Sequence, residues 1–411
     1  MESGTARGRT RLPGPILVMS ASAGTGHVRA GEALREACRA QGWDAEHVDV
    51  LELAPGWLRT AYGGGFELLA RRAPRVWKGI YSCADGPADD DARWAPLARR
   101  VLFREFHRLL RSNSWAACVC THFLPAQLAA GRGGHGVPFS LVVTDFELHR
   151  YWVQPRVSRY FVAHESLAGA LQQRLPSAQV HVTGIPLASG FAAAPRWREA
   201  RTRLGIPVDG RIAVLVGGGL GLGLEESVLA ALGTRVRDLQ LVVACGRNAA
   251  VASRLRALGL EETRLKVLDN VADMPALLAA ADVVVTKPGG LTTSEALALG
   301  RPLVLTRAIP GHEEANARFL AAHGAALLAP TTELLQRALF RLFSRPAAWA
   351  MRAAASGQLG RPRAASDVAT TLARALSVPA QPPAASRKLP ARRLLNRGGA
   401  PAALATSCLS A

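Results

Sequence analysis

One stretch of sequence decides the fold of this 411-residue chain: Thr286-Lys287-Pro288-Gly289-Gly290-Leu291-Thr292-Thr293-Ser294-Glu295-Ala296. The valines just before it, Val283 to Val285, are β-branched and predict a buried strand that stops at the Pro-Gly-Gly turn. The pattern then predicts a helix that begins at Thr292 and ends near Gly300. A glycine turn between a parallel strand and a helix leaves backbone N–H groups beside the positive end of the helix. With Lys287 next to it, this turn predicts a site for a nucleotide diphosphate.

Apolar strand-like runs alternate with helical runs on both sides of this stretch. The strands predicted in the first half extend from Ile16–Ser20 to Val180–Val182, and those in the second half from Ile212–Val216 to Leu303–Thr306. Such alternation predicts an α/β fold in which helices cover both faces of a parallel sheet. A chain of 411 residues suits two such domains rather than one.

Composition and pattern shifts suggest where the domains begin and end. We expect a disordered lead at 1–14, an N-terminal α/β domain at 15–190, a linker at 191–206, a C-terminal α/β domain at 207–376 and a disordered basic tail at 377–411. The tail prediction rests on its high Pro, Ala and Arg content. The last helix of the C-terminal domain is expected to pack back on the first domain.

The formal net charge of +19 favours anionic partners, although a general arginine bias explains it as well. Residues 57–111 interleave basic and aromatic side chains, as surfaces that bind anionic lipid headgroups do. A pair of amphipathic helices with an aromatic core explains the same pattern, so both interpretations stay open. No nucleic-acid motif accompanies the charge, and we expect no nucleic-acid partner. The candidates for membrane binding are Arg71, Arg72, Arg75, Trp77 and Lys78.

Several protein classes are disfavoured. The six cysteines show neither metal spacing nor a disulfide pattern, which predicts a reducing, cytoplasmic environment. The sequence has no signal-peptide pattern and no apolar run near the roughly 20 residues of a spanning helix. Glycine-rich turns follow the first strand of each half, at 22–27 and 217–223, but neither matches GxGxxG or ends in GK[ST]. A dinucleotide dehydrogenase or a P-loop ATPase is therefore disfavoured.

Five motifs occur in order along residues 16–324 and together resemble the monogalactosyldiacylglycerol synthase and processive diacylglycerol glucosyltransferase family. The motifs are Ser20-Ala21-Ser22-Ala23-Gly24-Thr25-Gly26-His27, Val143-Thr144-Asp145-Phe146, Cys245-Gly246-Arg247-Asn248, the 287–296 run and Ile309-Pro310-Gly311-His312-Glu313-Glu314-Ala315-Asn316. The resemblance implies a GT-B fold, in which two Rossmann-like domains face a central cleft. It further implies that the C-terminal domain binds a UDP-sugar donor and that the N-terminal domain binds a lipid acceptor at the inner face of the cell membrane. The implied reaction is an inverting transfer without a metal or other cofactor.

The resemblance also implies roles in donor binding. Backbone N–H groups would meet the diphosphate, an Arg-Asn pair would flank the uracil, a glutamate would accept from the ribose hydroxyls, and the last motif would contact the sugar. The donor-binding candidates, in that order along the chain, are Gly217, Gly218, Gly219, Arg247, Asn248, Lys287, Gly289, Gly290, Thr292, Thr293, Glu295, His312, Glu313 and Asn316. The two glycines before the helix would let Thr292 and Thr293 reach phosphate oxygens.

Two of these positions have competing interpretations. Thr292 and Glu295 have the spacing of a capping box, in which the glutamate bonds the N-cap backbone instead of a ribose. His312 stands where the family usually has Gln, and the two side chains present their hydrogen-bonding groups in different geometry. The identity of the transferred sugar is therefore open.

Inverting transfer needs a base for the acceptor hydroxyl and an electrostatic sink for the leaving group. His27 is the first candidate for the base because it lies at the tip of the first glycine loop, and its titration range suits the task. Asp145 is the alternative base or the group that orients one. Gly26, His149 and Trp152 are expected on the acceptor side, and His122 in a structural role.

These observations predict an enzyme that transfers a hexose from a UDP-sugar to a lipid hydroxyl, with diacylglycerol as the expected acceptor. A UDP-sugar epimerase of the same fold needs no lipid acceptor and is the alternative enzyme. A non-catalytic UDP-sugar sensor is the third possibility, because a fold alone does not establish an activity.

Overall fold

The computed structural model describes residues 12–60, 101–130, 136–218 and 223–377. Three groups of predictions concern residues outside these ranges: most of the lead, the tail from residue 378, and residues 61–100 of the segment expected to bind membranes. The candidates that lie outside are Arg71, Arg72, Arg75, Trp77, Lys78 and Gly219.

The first half of the chain forms a six-stranded parallel sheet with strand order 2-1-3-4-5-6. Its strands are β1 (Ile16–Ser20), β2 (Ala45–Asp49), β3 (Ala117–Cys120), β4 (Phe139–Val142), β5 (Arg159–Val162) and β6 (Gln179–Val182). Its helices are α1 (Thr25–Ala40), α2 (Gly56–Thr60), α3 (Arg104–Ser112), α4 (Phe123–Ala129) and α5 (Glu165–Arg174), with 3₁₀ turns at Val50–Leu53 and Arg150–Trp152.

The second half forms another six-stranded parallel sheet, with strand order 12-11-10-7-8-9. Its strands are β7 (Arg211–Val216), β8 (Leu239–Ala244), β9 (Leu265–Leu268), β10 (Val283–Thr286), β11 (Leu303–Leu305) and β12 (Ala326–Leu328). The helices from the crossover onward are α6 (Trp197–Arg203), α7 (Leu224–Leu232), α8 (Ala249–Arg256), α9 (Met274–Ala280), α10 (Gly290–Ala298), α11 (His312–Ala322), α12 (Thr332–Ser344), α13 (Pro346–Leu359) and α14 (Ala364–Ser377), with a 3₁₀ turn at Ser189–Phe191.

Successive side chains of a central strand pack into different hydrophobic cores, as β1 shows. In β1, Leu17 and Met19 enter one cluster, whereas Ile16 and Val18 enter another. Successive side chains of a strand point to opposite faces, so every residue of β1 is buried when helices cover both sides. The continuous apolar runs seen in the sequence are the signature of such doubly covered parallel strands.

The chain between the two sheets is more than a linker. Within the segment 191–206, helix α6 packs on α9 of the second domain. Arg201 of α6 is 2% exposed, forms an ion pair with Asp282 at 2.8 Å, and donates to the carbonyl of Ala280 at 2.9 Å. The expected linker therefore contributes a helix to the second domain, anchored by a buried arginine whose charge is paired.

The last helix, α14, packs on α1 of the first domain. Val368, Ala369 and Leu372 are fully buried in the cluster that holds Ile16 and Val18. The C-terminal helix thus supplies the apolar cover that one face of the first sheet requires. This crossing ties the end of the described chain to its beginning.

Candidate active site at the domain interface

The turn after β10 brings the second domain into close contact with the first. A Cβ built on Gly290 would lie 2.0 Å from the carbonyl oxygen of Thr144, and one built on Gly26 would lie 3.4 Å from Cβ of Leu291. Only a residue without a side chain permits the first approach. The glycine turn of the first domain and the turn that opens α10 therefore meet at one interface, and Thr144 borders both.

Helix α10 begins at Gly290, with Gly289 as its N-cap, so the predicted start at Thr292 is wrong by two residues. Thr293 is fully buried, and its hydroxyl donates to the carbonyl of Gly289 at 2.7 Å. The Thr293 hydroxyl is therefore bonded to the backbone at the start of its own helix, whereas the sequence predicted that it contacts a phosphate. Thr292 is half-buried one residue earlier.

Glu295 lies inside α10 and pairs with the first domain. Its Oε1 is 2.9 Å from Nη2 of Arg29, and its side chain is 2% exposed. Because the N-cap is Gly289, the capping-box interpretation of Thr292 and Glu295 is wrong. Burial raises the pKa of Glu295 to about 7, and the charge of Arg29 only partly opposes this shift. The other oxygen, Oε2, has no hydrogen-bond partner among the residues that the structure describes.

Glu295 and Arg29 line a small cavity of about 80 Å³ between α1 and α10. Glu32 and Glu36 of α1 add two more carboxyl groups, and Leu291 provides apolar surface. The cavity is therefore a polar recess at the domain interface in which one buried carboxyl group has hydrogen-bonding capacity left.

Lys287 and Glu313 form an ion pair beside the second glycine turn. Nζ of Lys287 is 2.7 Å from Oε1 of Glu313, and Oε2 of Glu313 accepts from the backbone N–H of Ile309 at 2.8 Å. Both carboxylate oxygens are therefore engaged, although Glu313 was expected to contact sugar hydroxyls. Gly218 has φ +69°, and a Cβ built there would lie 3.2 Å from Cε of Lys287. Close contact with Lys287 and a left-handed backbone both favour glycine here.

Asn316, another predicted sugar contact, is fully buried between the domains. Its Oδ1 accepts from the backbone N–H of Phe146 at 2.8 Å. Its Nδ2 donates to Oδ1 of Asp145 at 3.1 Å and to the carbonyl of Pro288 at 3.2 Å. One side chain on α11 therefore joins the first-domain loop after β4 to the turn after β10.

His27, the candidate base, is half-buried at the start of α1 and fixed by two threonines. Its Nδ1 is 3.1 Å from the carbonyl oxygen of Thr121 and 2.8 Å from Oγ1 of Thr144. Because a carbonyl only accepts, Nδ1 carries the proton, and Nε2 holds the lone pair of the neutral ring. Burial lowers the pKa of His27 from 6.5, and Asp145 opposes that shift without cancelling it. The structure therefore presents a neutral imidazole in which Nε2 is the basic nitrogen.

Asp145 is buried beside His27 and held on both oxygens. Oδ2 accepts from Nε1 of Trp152 at 3.3 Å, and Oδ1 accepts from Asn316. Burial favours the protonated form, but His312, His149, His27 and the Asn316 hydrogen bond outweigh it and lower the pKa of Asp145. A carboxylate with a lowered pKa is a weak base near neutral pH. Asp145 therefore suits the role of orienting a histidine better than the role of the base.

The acceptor-side candidates form an aromatic cluster around this pair. The ring of Trp152 is fully buried, 6.5 Å from the ring of His27 and 5.5 Å from that of His149. Phe123, absent from the predicted set, stacks on Tyr151 at 5.2 Å. Trp152 thus supports Asp145 from within the core instead of presenting an open surface.

The remaining candidates lie around this centre. Gly217 is buried at the end of β7, Arg247 is exposed, and Asn248 caps α8 by accepting from the backbone N–H of Val251 at 3.1 Å. His312 is the first residue of α11, close enough to influence Asp145 electrostatically. His122 caps α4 through Nδ1, as its structural assignment requires, while its ring lies 4.7 Å from that of His27.

Three residues of the site were missed from the sequence: Arg29, Thr121 and Thr144. Thr121 follows β3 directly, and Thr144 lies two residues beyond β4. Polar residues at the carboxyl ends of neighbouring parallel strands converge on one edge of a sheet, and that position was the available signal. Arg29 had no comparable signal, because its partner Glu295 lies 266 positions further along the chain (295 − 29).

Comparisons with known proteins agree with this architecture. Residues 27–187 match the family model of monogalactosyldiacylglycerol (MGDG) synthase, and residues 212–368 match the glycosyltransferase family 28 C-terminal domain. The processive diacylglycerol β-glucosyltransferase of Bacillus pumilus is 28% identical over 321 residues, which cover 76% of this chain and 82% of that relative. The protein of the same name from Bacillus subtilis is 33% identical over 200 residues, which cover 48% of this chain and 52% of that relative.

Among solved structures, MurG of Acinetobacter baumannii superposes with a TM-score of 0.57 at 19% sequence identity. The superposition covers 88% of this chain and 100% of MurG. This likeness shows the fold, which is GT-B as expected. The expectation rested on motif order, and the two parallel six-stranded sheets confirm it.

Proposed function

We propose the function of this chain from its family, because it belongs to the monogalactosyldiacylglycerol synthase and processive diacylglycerol glucosyltransferase family. It acts as a glycosyltransferase that moves a hexose from a UDP-sugar to a lipid, with diacylglycerol as the acceptor. The observation that carries this proposal is the position of Thr144, which contacts His27 through Oγ1 and packs its carbonyl against Gly290. A base and a phosphate-binding turn thus share one interface.

In the proposed reaction, Nε2 of His27 removes the proton of the acceptor hydroxyl. The acceptor oxygen attacks the anomeric carbon, a new C–O bond forms with inversion, and the bond to the β-phosphate oxygen breaks. UDP leaves with the electron pair of that bond, and His27 carries the proton until solvent takes it. Asp145 stabilises the imidazolium electrostatically, as a carboxylate next to a catalytic histidine does.

The leaving diphosphate needs a counter-charge, which we assign to the second domain. The backbone N–H groups at Gly289 and Gly290, the positive end of α10 and the Lys287 ammonium supply it. We propose that no metal or other cofactor takes part. Transfer should then persist in excess EDTA, and a loss of activity that magnesium or manganese restores would contradict this part of the proposal.

We further propose that the protein works at the inner face of the cell membrane and contacts anionic lipid there. Among the residues that the structure describes, no helix is both long and apolar enough to cross a bilayer. The candidate contact surface is the basic and aromatic stretch at 57–100, because Phe103 and Phe106 near the end of the 57–111 segment are buried in a hydrophobic core. Replacing Arg71, Arg72 and Arg75 with Gln should weaken sedimentation with anionic liposomes; unchanged sedimentation would assign that segment to the fold.

The decisive experiment offers purified protein a labelled UDP-hexose and diacylglycerol liposomes. Labelled glycolipid supports the proposal, and a panel of UDP-sugars identifies the donor. A changed sugar nucleotide in the absence of lipid would instead support the epimerase, and UDP binding without turnover would support the sensor. Both alternatives have less support, because both matching family models describe glycosyltransferases.

A further inference from the structure

We infer that Asn316 is a positioning residue that orders the Asp145 carboxylate beside His27 when the two domains are closed. The inference rests on the proposed function, because it concerns the base of that reaction. It assigns Asn316 to the proton-transfer side of the site, whereas the resemblance assigned this residue to the donor sugar.

The hydrogen bonds of Asn316 carry the inference. An amide group has two N–H donors, and here one goes to Asp145 at 3.1 Å and the other to Pro288 at 3.2 Å. The amide oxygen accepts from the N–H of Phe146 at 2.8 Å. With both donors used and the side chain fully buried, no N–H of Asn316 is left for a sugar hydroxyl in this closed arrangement.

The bonds to Asp145 and Phe146 cross the domain interface, because Asn316 lies on α11 and the other two residues follow β4. Opening the cleft breaks both bonds together. Among the described residues, Trp152 would then be the one remaining hydrogen-bond donor to Asp145, and the carboxylate would be free to turn. Closure over the donor thus completes the orientation of the group that faces the base.

The hydrogen bond from Asn316 affects the ionisation of Asp145, because several titratable groups surround this carboxyl. The titratable groups that face Asp145 are His312, His149 and His27, while Asn316 and Trp152 contribute neutral donors. A donor at position 316 favours the ionised form of Asp145 without adding charge. A carboxylate at the same place would remove the donors and set two negative groups against each other.

The test compares Asn316→Asp, Asn316→Ala and Phe319→Leu. Phe319 lies one turn further along α11 and stacks across the interface on Phe146 at 5.1 Å, without contact to Asp145. Its replacement weakens closure alone and is therefore the matched control. Asn316→Ala keeps the experiment decisive if the aspartate variant does not fold.

We expect Asn316→Asp to lower kcat about 100-fold, with less effect from Asn316→Ala, while KM for the UDP-sugar changes less than about threefold. The added charge should move the acidic limb of the kcat profile about one pH unit upward, because a nearby carboxylate raises the pKa of His27. Phe319→Leu should leave the limb in place. The inference would be overturned if all three variants lost kcat equally and the acidic limb of the kcat profile did not move. Asn316 would then be a structural contact.

A second readout needs no activity. In protein labelled with ¹³C at histidine, the NMR titration of His27 should move to higher pH in Asn316→Asp and stay unchanged in Phe319→Leu. An unmoved His27 titration in Asn316→Asp would overturn the inference. If wild-type protein transfers no sugar, the proposed function fails, yet this titration still decides whether position 316 acts on the pair.

Discussion

The two domains contribute to the interface in different ways. The first presents side chains that hold or exchange protons, with His27 and Asp145 enclosed by His122, His149 and Trp152. The second presents backbone at the start of α10, the Lys287–Glu313 ion pair, and the side chains of Glu295 and Asn316, which pair with Arg29 and Asp145 of the first domain. In the proposed mechanism, proton transfer therefore belongs to the first sheet edge and charge neutralisation to the second.

The physical settings of the two sides match this division. Burial and ordered hydrogen bonds set the protonation states of His27 and Asp145, so small displacements there change chemistry. Backbone N–H groups have no protonation state to adjust, so the second side depends on close approach, which Gly218 and Gly290 permit. The following five predictions test the division, beginning with the largest effect.

Replacing His27 with Ala should lower kcat about 1,000-fold while UDP affinity stays within about threefold. The reason is that the ring provides the base and belongs to the proton-transfer side only. Steady-state kinetics and UDP calorimetry measure the two quantities. His323→Ala, which removes an exposed histidine of the second domain, is the control. Weaker UDP binding with unchanged kcat in the His27 variant would contradict the assignment of proton transfer to the first domain.

The same comparison predicts a pH dependence. Burial lowers the pKa of His27 below its ordinary 6.5, so the neutral base persists to lower pH than a free imidazole does. Where protonation of His27 limits the rate, the midpoint of the acidic limb of the wild-type kcat profile should therefore lie below pH 6.5.

Replacing Glu295 with Gln should remove a pH-dependent cost to stability. The folded carboxyl has a pKa of about 7 against 4.5 when unfolded, so the folded state binds more protons between these values. Wild-type stability from this group therefore falls as pH rises through that window, by on the order of 3 kcal/mol. Urea unfolding at pH 5 and pH 8 should show the variant gaining relative to wild type at pH 8.

Glu36→Gln is the control for that measurement, because this carboxyl lines the same cavity but is exposed. It should show little change in relative stability between the two pH values. An identical stability difference for Glu295→Gln at both pH values would mean that its buried carboxyl is not the source.

Lys287 and Glu313 should show coupling in a double-mutant cycle. Glu313 is 3% exposed on its side chain and Lys287 28%, so removing the lysine leaves a buried carboxylate uncompensated. We expect a coupling energy of about 2 kcal/mol in unfolding for Lys287→Met, Glu313→Gln and the double variant. Additive effects would show that the pair does not act as a unit on the second side.

Replacing Arg29 with Gln should have the smallest effect. Its ion pair with Glu295 is 41% exposed on the arginine side, and Glu295, whose pKa is about 7, can bind a proton when the arginine is removed, so we expect a loss below about 1 kcal/mol. Because Arg29 occupies the carboxylate proposed to bind ribose, UDP should bind up to about fivefold more tightly in the variant. Arg35→Gln, on the same helix, is the control. Weaker UDP binding after Arg29→Gln would make Arg29 part of the donor site.

Much of the fold was accessible from local pattern. The strands predicted at Ile16–Ser20 and Val283–Thr286 agree with β1 and β10, because fully covered parallel strands leave continuous apolar runs. The start of α10 was misplaced because Thr292 has N-cap chemistry, whereas the helix already includes Gly290. The preference of threonine for caps was outweighed by the packing of Gly290 against Thr144.

The order of apolar runs, glycine turns and polar strand ends was therefore enough to specify two α/β domains and the residues at their facing edges. Docking of the domains decided which of those residues touch: Glu295 with Arg29, Asn316 with Asp145, and Gly290 with Thr144. These pairs are separated by well over a hundred positions and leave no periodic trace, because their hydrogen bonds depend on how two finished surfaces meet.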